Sequence, residues 1–330
     1  AFEKLAAFRG TAGKSAVEVA DIRDEFVRGE ASLRTKVPTL KVDYNTDIRT
    51  PEVIGPDVLK GRAFLTTPST AKRSDVLLNF LKQNAALVGV NPSQADGLKV
   101  FADYANPDGH LSFVELDQEI NGIPVFRGEV KAGFTKRGEM IRVINNLAPG
   151  LDPSALSTDF ADPTDAVRAA AKYINTDVSK LTLARNGQES TDLEAVFGTG
   201  DSATTAEKMY FPTEPGVAVP AWRVLIWQPV NAYYVIVDAA TGTMLWRKDI
   251  TEDQTQSVTY SVYANPNAMI NVADSPSPFS PGPTSPNGQQ GVPIARSLIT
   301  RIGNEPPYTF NNLGWVTDGI TVTDGNAVQA

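Results

Sequence analysis

Residues 111–147 read LSFVELDQEINGIPVFRGEVKAGFTKRGEMIRVINNL, and this stretch decides the fold. Strands are expected at about 111–120, 125–135 and 139–147. Asn121-Gly122 and Lys136-Arg137-Gly138 separate them, with residue types that tolerate the positive φ of tight turns. Ile123 precedes Pro124, which pushes it into an extended conformation. Three closely linked strands of this kind make an antiparallel meander.

A helix precedes the meander. SDVLLNFLKQNAALVG at 74–89 places Leu77, Phe80, Leu81, Ala85 and Val88 at three- and four-residue steps, with Ser74 as the expected N-cap and Gly89 as the stop. The plan then repeats. In DPTDAVRAAAKYI, Asp162 caps, Pro163 suits the first helical position, Asp165 complements the helix N-terminus, and Val167, Ala170, Ala171 and Ile174 share one face. Strands are expected at 208–211, 219–228, 233–239 and 243–250, with Ala240-Thr241-Gly242 as a tight turn. Alternation in AWRVLIW is imperfect, so the register of that strand stays open. The fold class is α+β, two helix-on-antiparallel-sheet modules in tandem.

Composition narrows the chemistry. The chain has 330 residues, 42% hydrophobic and 21% charged, which is globular, with a net charge of −8 that disfavours nucleic acid. With no Cys there is no disulfide, thiolate nucleophile or Cys-ligated zinc, and with one His there is no two-His metal site. A Ser-His-Asp triad would have to use His110. No run of about 18 apolar residues offers a membrane span. The chain opens on AFEKLAAFRG with neither Met nor an apolar leader, so a targeting peptide is expected to have been removed or never present.

Charge changes near residue 250. Sixty charged residues precede it and eight follow. Nine of the 23 prolines fall between Pro266 and Pro307, and SPSPFSPGPTSPNGQQG at 275–291 reads as a linker, or as an arm laid on a partner.

Asn121, Gly122, Ile123, Pro124, Val125, Phe126, Gly128, Glu129 and Val130 resemble the fungalysin/thermolysin propeptide domain. PAWRVLIWQPVNAYYVIVDAATGTMLWRKDI is similar to a PepSY module, through Val237, Asp238, Ala239, Ala240, Thr241 and Gly242. That order is the usual pro-region of secreted zinc endopeptidases. Thr259, Tyr260, Val262 and Tyr263 resemble the strand that opens mature fungalysins, and Asp324, Gly325, Asn326, Val328 and Ala330 a later strand. The resemblance covers about residues 75–330 and implies two cystatin-like modules followed by a Pro-rich, strand-containing C-terminal segment. The divisions expected are an N-terminal arm at 1–70, the propeptide domain at 71–150, PepSY at 151–253 and the start of the mature protease at 254–330.

The departure is the zinc motif. H-E-x-x-H is missing, so the chain is expected to be inactive alone, to hold no cofactor, and to stop before a catalytic domain that carries the zinc. The resemblance implies a secreted pro-region that chaperones and inhibits a cognate metalloprotease catalytic domain, with activation cleavage in Thr251, Glu252, Asp253, Gln254, Thr255, Gln256 and Ser257. A plain linker accounts for that stretch equally well. The alternative function is a stand-alone secreted binding protein built from the same modules; the downstream reading frame discriminates.

Three further features have plainer readings. His110 in NPDGHLSF is expected as an exposed strand-end residue rather than a catalytic or metal-binding one. Asp318-Gly319 and Asp324-Gly325-Asn326 offer calcium-type oxygens but lack a terminal acidic ligand, and a hairpin turn is preferred. Trp222, Trp227 and Trp246 are expected in the sheet core rather than as a ligand platform.

Overall fold

The computed structural model describes residues 2–61, 63–107, 109–229, 231–251, 258–262 and 297–301. Ala1–Ile250 form one compact unit and Thr251–Ala330 a second. In the second unit, β12 (Val258–Val262) pairs antiparallel with β13 (Ser297–Arg301). Thr259, Tyr260 and Val262 lie on β12. Glu252 to Ser257, Tyr263, the Pro-rich run 275–291 and the segment from Asp318 to Ala330 lie outside the described residues.

The first 70 residues were expected as a strand or arm, and they hold helices. α1 (Phe2–Thr11) leads to α2 (Ala16–Lys36), which opens on a capping box between Ser15 and Glu18. Two strands follow, β1 (Leu40–Tyr44) and β2 (Pro51–Pro56). α2 buries Val19, Phe26 and Leu33, one residue every seven, so its apolar stripe is narrow and lies among many charges. Its Gly29 meets the backbone of the next helical segment so closely that a Cβ there would fall 2.4 Å from the Leu87 nitrogen.

The first module places α3 (Arg73–Gln83), α4 (Ala85–Val88) and α5 (Pro92–Asp96) before β3 (Lys99–Ala105), β4 (Leu111–Ile120), β5 (Ile123–Thr135) and β6 (Met140–Asn145). Ser74 is not the cap. The N-cap is Lys72, two residues earlier, and it makes no side-chain capping bond. The expected single helix breaks at Asn84, whose Nδ2 donates to the Phe80 carbonyl at 2.8 Å, and Gly89 ends α4 in the left-handed region as expected. Leu77, Phe80 and Leu81 pack on Val114, Leu116, Val130, Ala132, Phe134, Met140 and Val143. Each fully buried aliphatic side chain contributes about 1.5–3 kcal/mol relative to exposure.

The second module sets α6 (Pro163–Tyr173) against β7 (Glu194–Phe197), β8 (Thr204–Glu214), β9 (Val217–Trp227), β10 (Ala232–Asp238) and β11 (Met244–Asp249). Asp162 accepts the Thr164 N–H at 2.7 Å, as a cap should. Val167, Ala170 and Ala171 pack on Tyr210, Trp222, Val224, Ile226, Val235 and Val237. Trp222 donates its indole N–H to the Phe160 carbonyl at 2.6 Å.

The two sets of strands are continuous. The order runs β1-β2-β6-β5-β8-β9-β10-β11, with β4 beside β5, β3 beside β4 and β7 beside β8. All neighbours are antiparallel except β5 and β8, joined in parallel at Val125 and Tyr210.

Candidate functional site

The Ile-Pro-Val-Phe-Arg-Gly segment is the joint between the modules. Asn121 (φ +55°) and Gly122 (φ +77°) form the two-residue turn between β4 and β5, a conformation that favours Asn and Gly. The register then slips. Asp117 pairs with Glu129, but Glu119 pairs with Pro124, so Val125 to Gly128 bulge out opposite Gln118 alone. Buried Gln118 closes the gap by bonding Ala148 twice, accepting its N–H at 2.8 Å and donating to its carbonyl at 3.1 Å.

Each bulged residue has a separate task. Val125 enters the second module's core. Phe126 stacks on Phe211 with centroids 4.9 Å apart and lies 5.2 Å from Trp246. Arg127 takes φ +52°, which costs a non-glycine residue about 1–2 kcal/mol. Its guanidinium lies 5.3 Å from the Phe126 ring centre and 5.6 Å from that of Trp246, contacts worth about 0.5–1 kcal/mol each at exposed sites. Gly128 admits no side chain, because a Cβ would fall 2.7 Å from Val125 Cβ. These groups line a cleft of about 620 Å³ whose rim includes Asp47, Glu52 and Glu129.

The other motif is a docked hairpin. Val237 is fully buried, and buried Asp238 accepts the Thr241 N–H at 2.8 Å and its hydroxyl at 2.6 Å. Gly242 has φ +66°, and a Cβ there would lie 3.0 Å from Ala169 Cβ on α6. Val237 shares the second module's core with Val125, while Asp238 and Gly242 shape the hairpin turn.

The face of the first sheet opposite its helices is also open. Tyr104 and Phe113 sit with rings 5.4 Å apart, and with Ile141, Ile144 and Pro56 they line a groove of about 400 Å³. Beside it, carboxylate oxygens of Glu115, Asp117 and Glu129 lie within 4.8 Å of one another. Lys131 bridges Glu115 and Glu129 at 3.2 Å each. Burial pushes the Glu115 carboxyl up, against the pull of Lys131, and burial with repulsion from Glu129 and Glu119 pushes Asp117 up. An all-carboxylate group with an ammonium already inside it does not fit zinc, which takes nitrogen and sulfur ligands.

Motif reading missed this face. Its outermost strand is KVFADYA, where Val100, Phe101 and Tyr104 are 56%, 69% and 56% exposed. The signal available was two aromatic residues and a Val in seven residues between a Gly-ended helix and a turn. His110 is exposed at the start of β4, as expected. Trp222 is core and Trp246 half-buried, but Trp227 is 43% exposed at the end of β9, where alternation turns it to the face opposite Trp222, Val224 and Ile226. No helix among the described residues is long and apolar enough to cross a membrane.

No protein-family model matches the chain. Among solved structures, it is similar to the Bacillus megaterium YpeB C-terminal domain at 11% identity and a TM-score of 0.24, over 64% of this chain and 76% of that one. That likeness is too slight to carry a functional argument.

Proposed function

We propose that residues 1–250 act as the pro-region of a secreted fungalysin-like zinc endopeptidase, chaperoning and inhibiting its catalytic domain, and that 254–330 open the mature part. The motif order at 121–128 and 237–242 supports this reading. The observation that carries it is the helix-free face of the first sheet, where Tyr104, Phe113, Ile141 and Ile144 surround partly buried carboxylates. A contiguous apolar patch rimmed by polar groups marks a protein-docking surface. Zinc and the catalytic residues belong to the partner domain, and Thr251–Ser257 is the stretch proposed for cleavage.

The test is inhibition. The full chain, titrated into a fungalysin-type zinc endopeptidase catalytic domain, should suppress peptide hydrolysis to completion at one-to-one stoichiometry. Tyr104→Glu should raise the inhibitory concentration at least tenfold. Hydrolysis unchanged by an excess of folded chain overturns the inhibitor reading and leaves the stand-alone binding protein.

A further inference from the structure

The sheet guards its edges unequally. β7 is four residues long and mostly buried. β1 carries the exposed pair Lys41 and Asp43, and Arg34 Nη1 donates to its Leu40 carbonyl at 2.6 Å. β11 ends in exposed Arg247, Lys248 and Asp249. Short, charged or covered edges are the usual protection against strand addition. β3 is neither short nor covered by another strand among the described residues, and its two charges are engaged within the chain, Lys99 with Glu119 and Asp103 with Arg73: it runs seven residues, pairs only with β4, and exposes Val100, Phe101 and Tyr104.

The rows that cross β3 state what would fit beside it. Tyr104 lies opposite Phe113, which lies opposite Gly133, an apolar row. Ala102 lies opposite Glu115, with Asp117 two residues further along β4 on the same face. The Ala102 methyl is too short to screen Glu115 from a strand added beyond it, and Lys99, opposite Asp117, turns its ammonium to Glu119 instead. Two strand spacings, about 10 Å, separate such a strand from β4, a gap that a long cationic side chain and a glutamate close together. A second copy paired about Ala102 would offer only its own Ala102 there, so self-pairing adds no cation to the single Lys131 that faces three carboxylates. A bulge between Val100 and Ala102 leaves Ala102 to Ala105 in regular register for pairing.

We propose that β3 accepts an extended protein segment by strand addition, the segment placing an apolar residue against Tyr104 and, two positions along on the same face, a lysine or arginine that reaches Glu115 and Asp117 across Ala102. Backbone bonds along β3 supply affinity, and these two side chains supply selectivity. The inference stands apart from the protease reading, since any protein with such a strand satisfies it.

The probe is a blocked heptapeptide of threonines carrying valine, lysine and valine at its second, fourth and sixth positions, with glutamate replacing lysine in the control. Titrated into the isotope-labelled full chain, the lysine peptide should slow amide exchange at Lys99–Ala105 and bind at least tenfold more tightly than the control. Phe101→Lys should abolish binding, and Asp117→Asn should reduce the lysine preference at least threefold while keeping the fold. Equal binding of both peptides, protection on other strands only, or no binding overturns the proposal. So does a dimer of the untreated chain that Phe101→Lys turns monomeric. Because the readout uses no protease, its failure leaves the inhibition test standing.

Discussion

The two modules share one plan and finish it differently. In the second, the face away from α6 is filled by Phe211, Trp246, Leu245 and the borrowed Phe126, capped by Arg127, and its outer strand ends in charge. In the first, the face away from the helices keeps Tyr104, Phe113, Ile141 and Ile144 beside three carboxylates, and its outer strand exposes Val100, Phe101 and Tyr104. The sheet is continuous through both, so helix-on-sheet packing alone does not explain the contrast. One module packs stacked aromatic side chains on its outer face, and the other leaves an apolar groove beside carboxylates.

Trp222→Ala removes a 3%-exposed indole from the second core and leaves the Phe160 carbonyl without its donor. It should cost about 3–5 kcal/mol in urea unfolding, the largest effect expected here. Gly128→Ala attacks the joint, where the added Cβ meets Val125, and about 1–3 kcal/mol of overpacking is expected in the same measurement. A loss well below this would mean that the bulge relaxes freely and the modules are not rigidly joined. Phe101→Ala on the open module should change stability by less than about 0.5 kcal/mol. A large loss there would break the contrast, because β3 would then be core.

The smallest effect separates the modules by pH. Burial, with repulsion from Glu129 and Glu119, raises the Asp117 carboxyl, so the folded chain holds a proton that the unfolded chain has released. Stability from this group therefore grows as pH falls through its folded pKa towards the ordinary value. Asp162 is the reverse: the backbone N–H and hydroxyl of Thr164 lower it, and its contribution is present above the ordinary value and lost as pH falls through the folded one. Carboxyl carbon shifts followed by NMR should show Asp117 titrating above the usual carboxylate range and Asp162 below it. The opposite order would remove the electrostatic part of the contrast.

What was legible in the sequence follows the same physics. β4 alternates in burial because one face is buried and one open, although buried Ser112 and Gln118 blur that period in the sequence, and α6 carries its proline and its apolar face in eleven residues directly after its cap. α2 escaped because one buried residue per two turns is a faint stripe among charges. β3 escaped because neither of its faces is buried, so no period is imposed on it. The joint was legible as a turn at Asn121-Gly122 but not as a bulge, since Phe126 finds its partners on β8 and β11, more than 80 residues away. Sequence periodicity reports what a chain buries in itself, and an exposed edge strand leaves little of that signal.

Hydrogen exchange of the full chain, alone and with a fungalysin-type zinc endopeptidase catalytic domain, tests the central claim most directly. The account predicts slowed exchange concentrated on residues 99–105, 111–117 and 129–133, with α6 and the 237–242 hairpin unchanged. Protection confined to the helix side of either module, or no protection at a concentration that saturates binding, would contradict it.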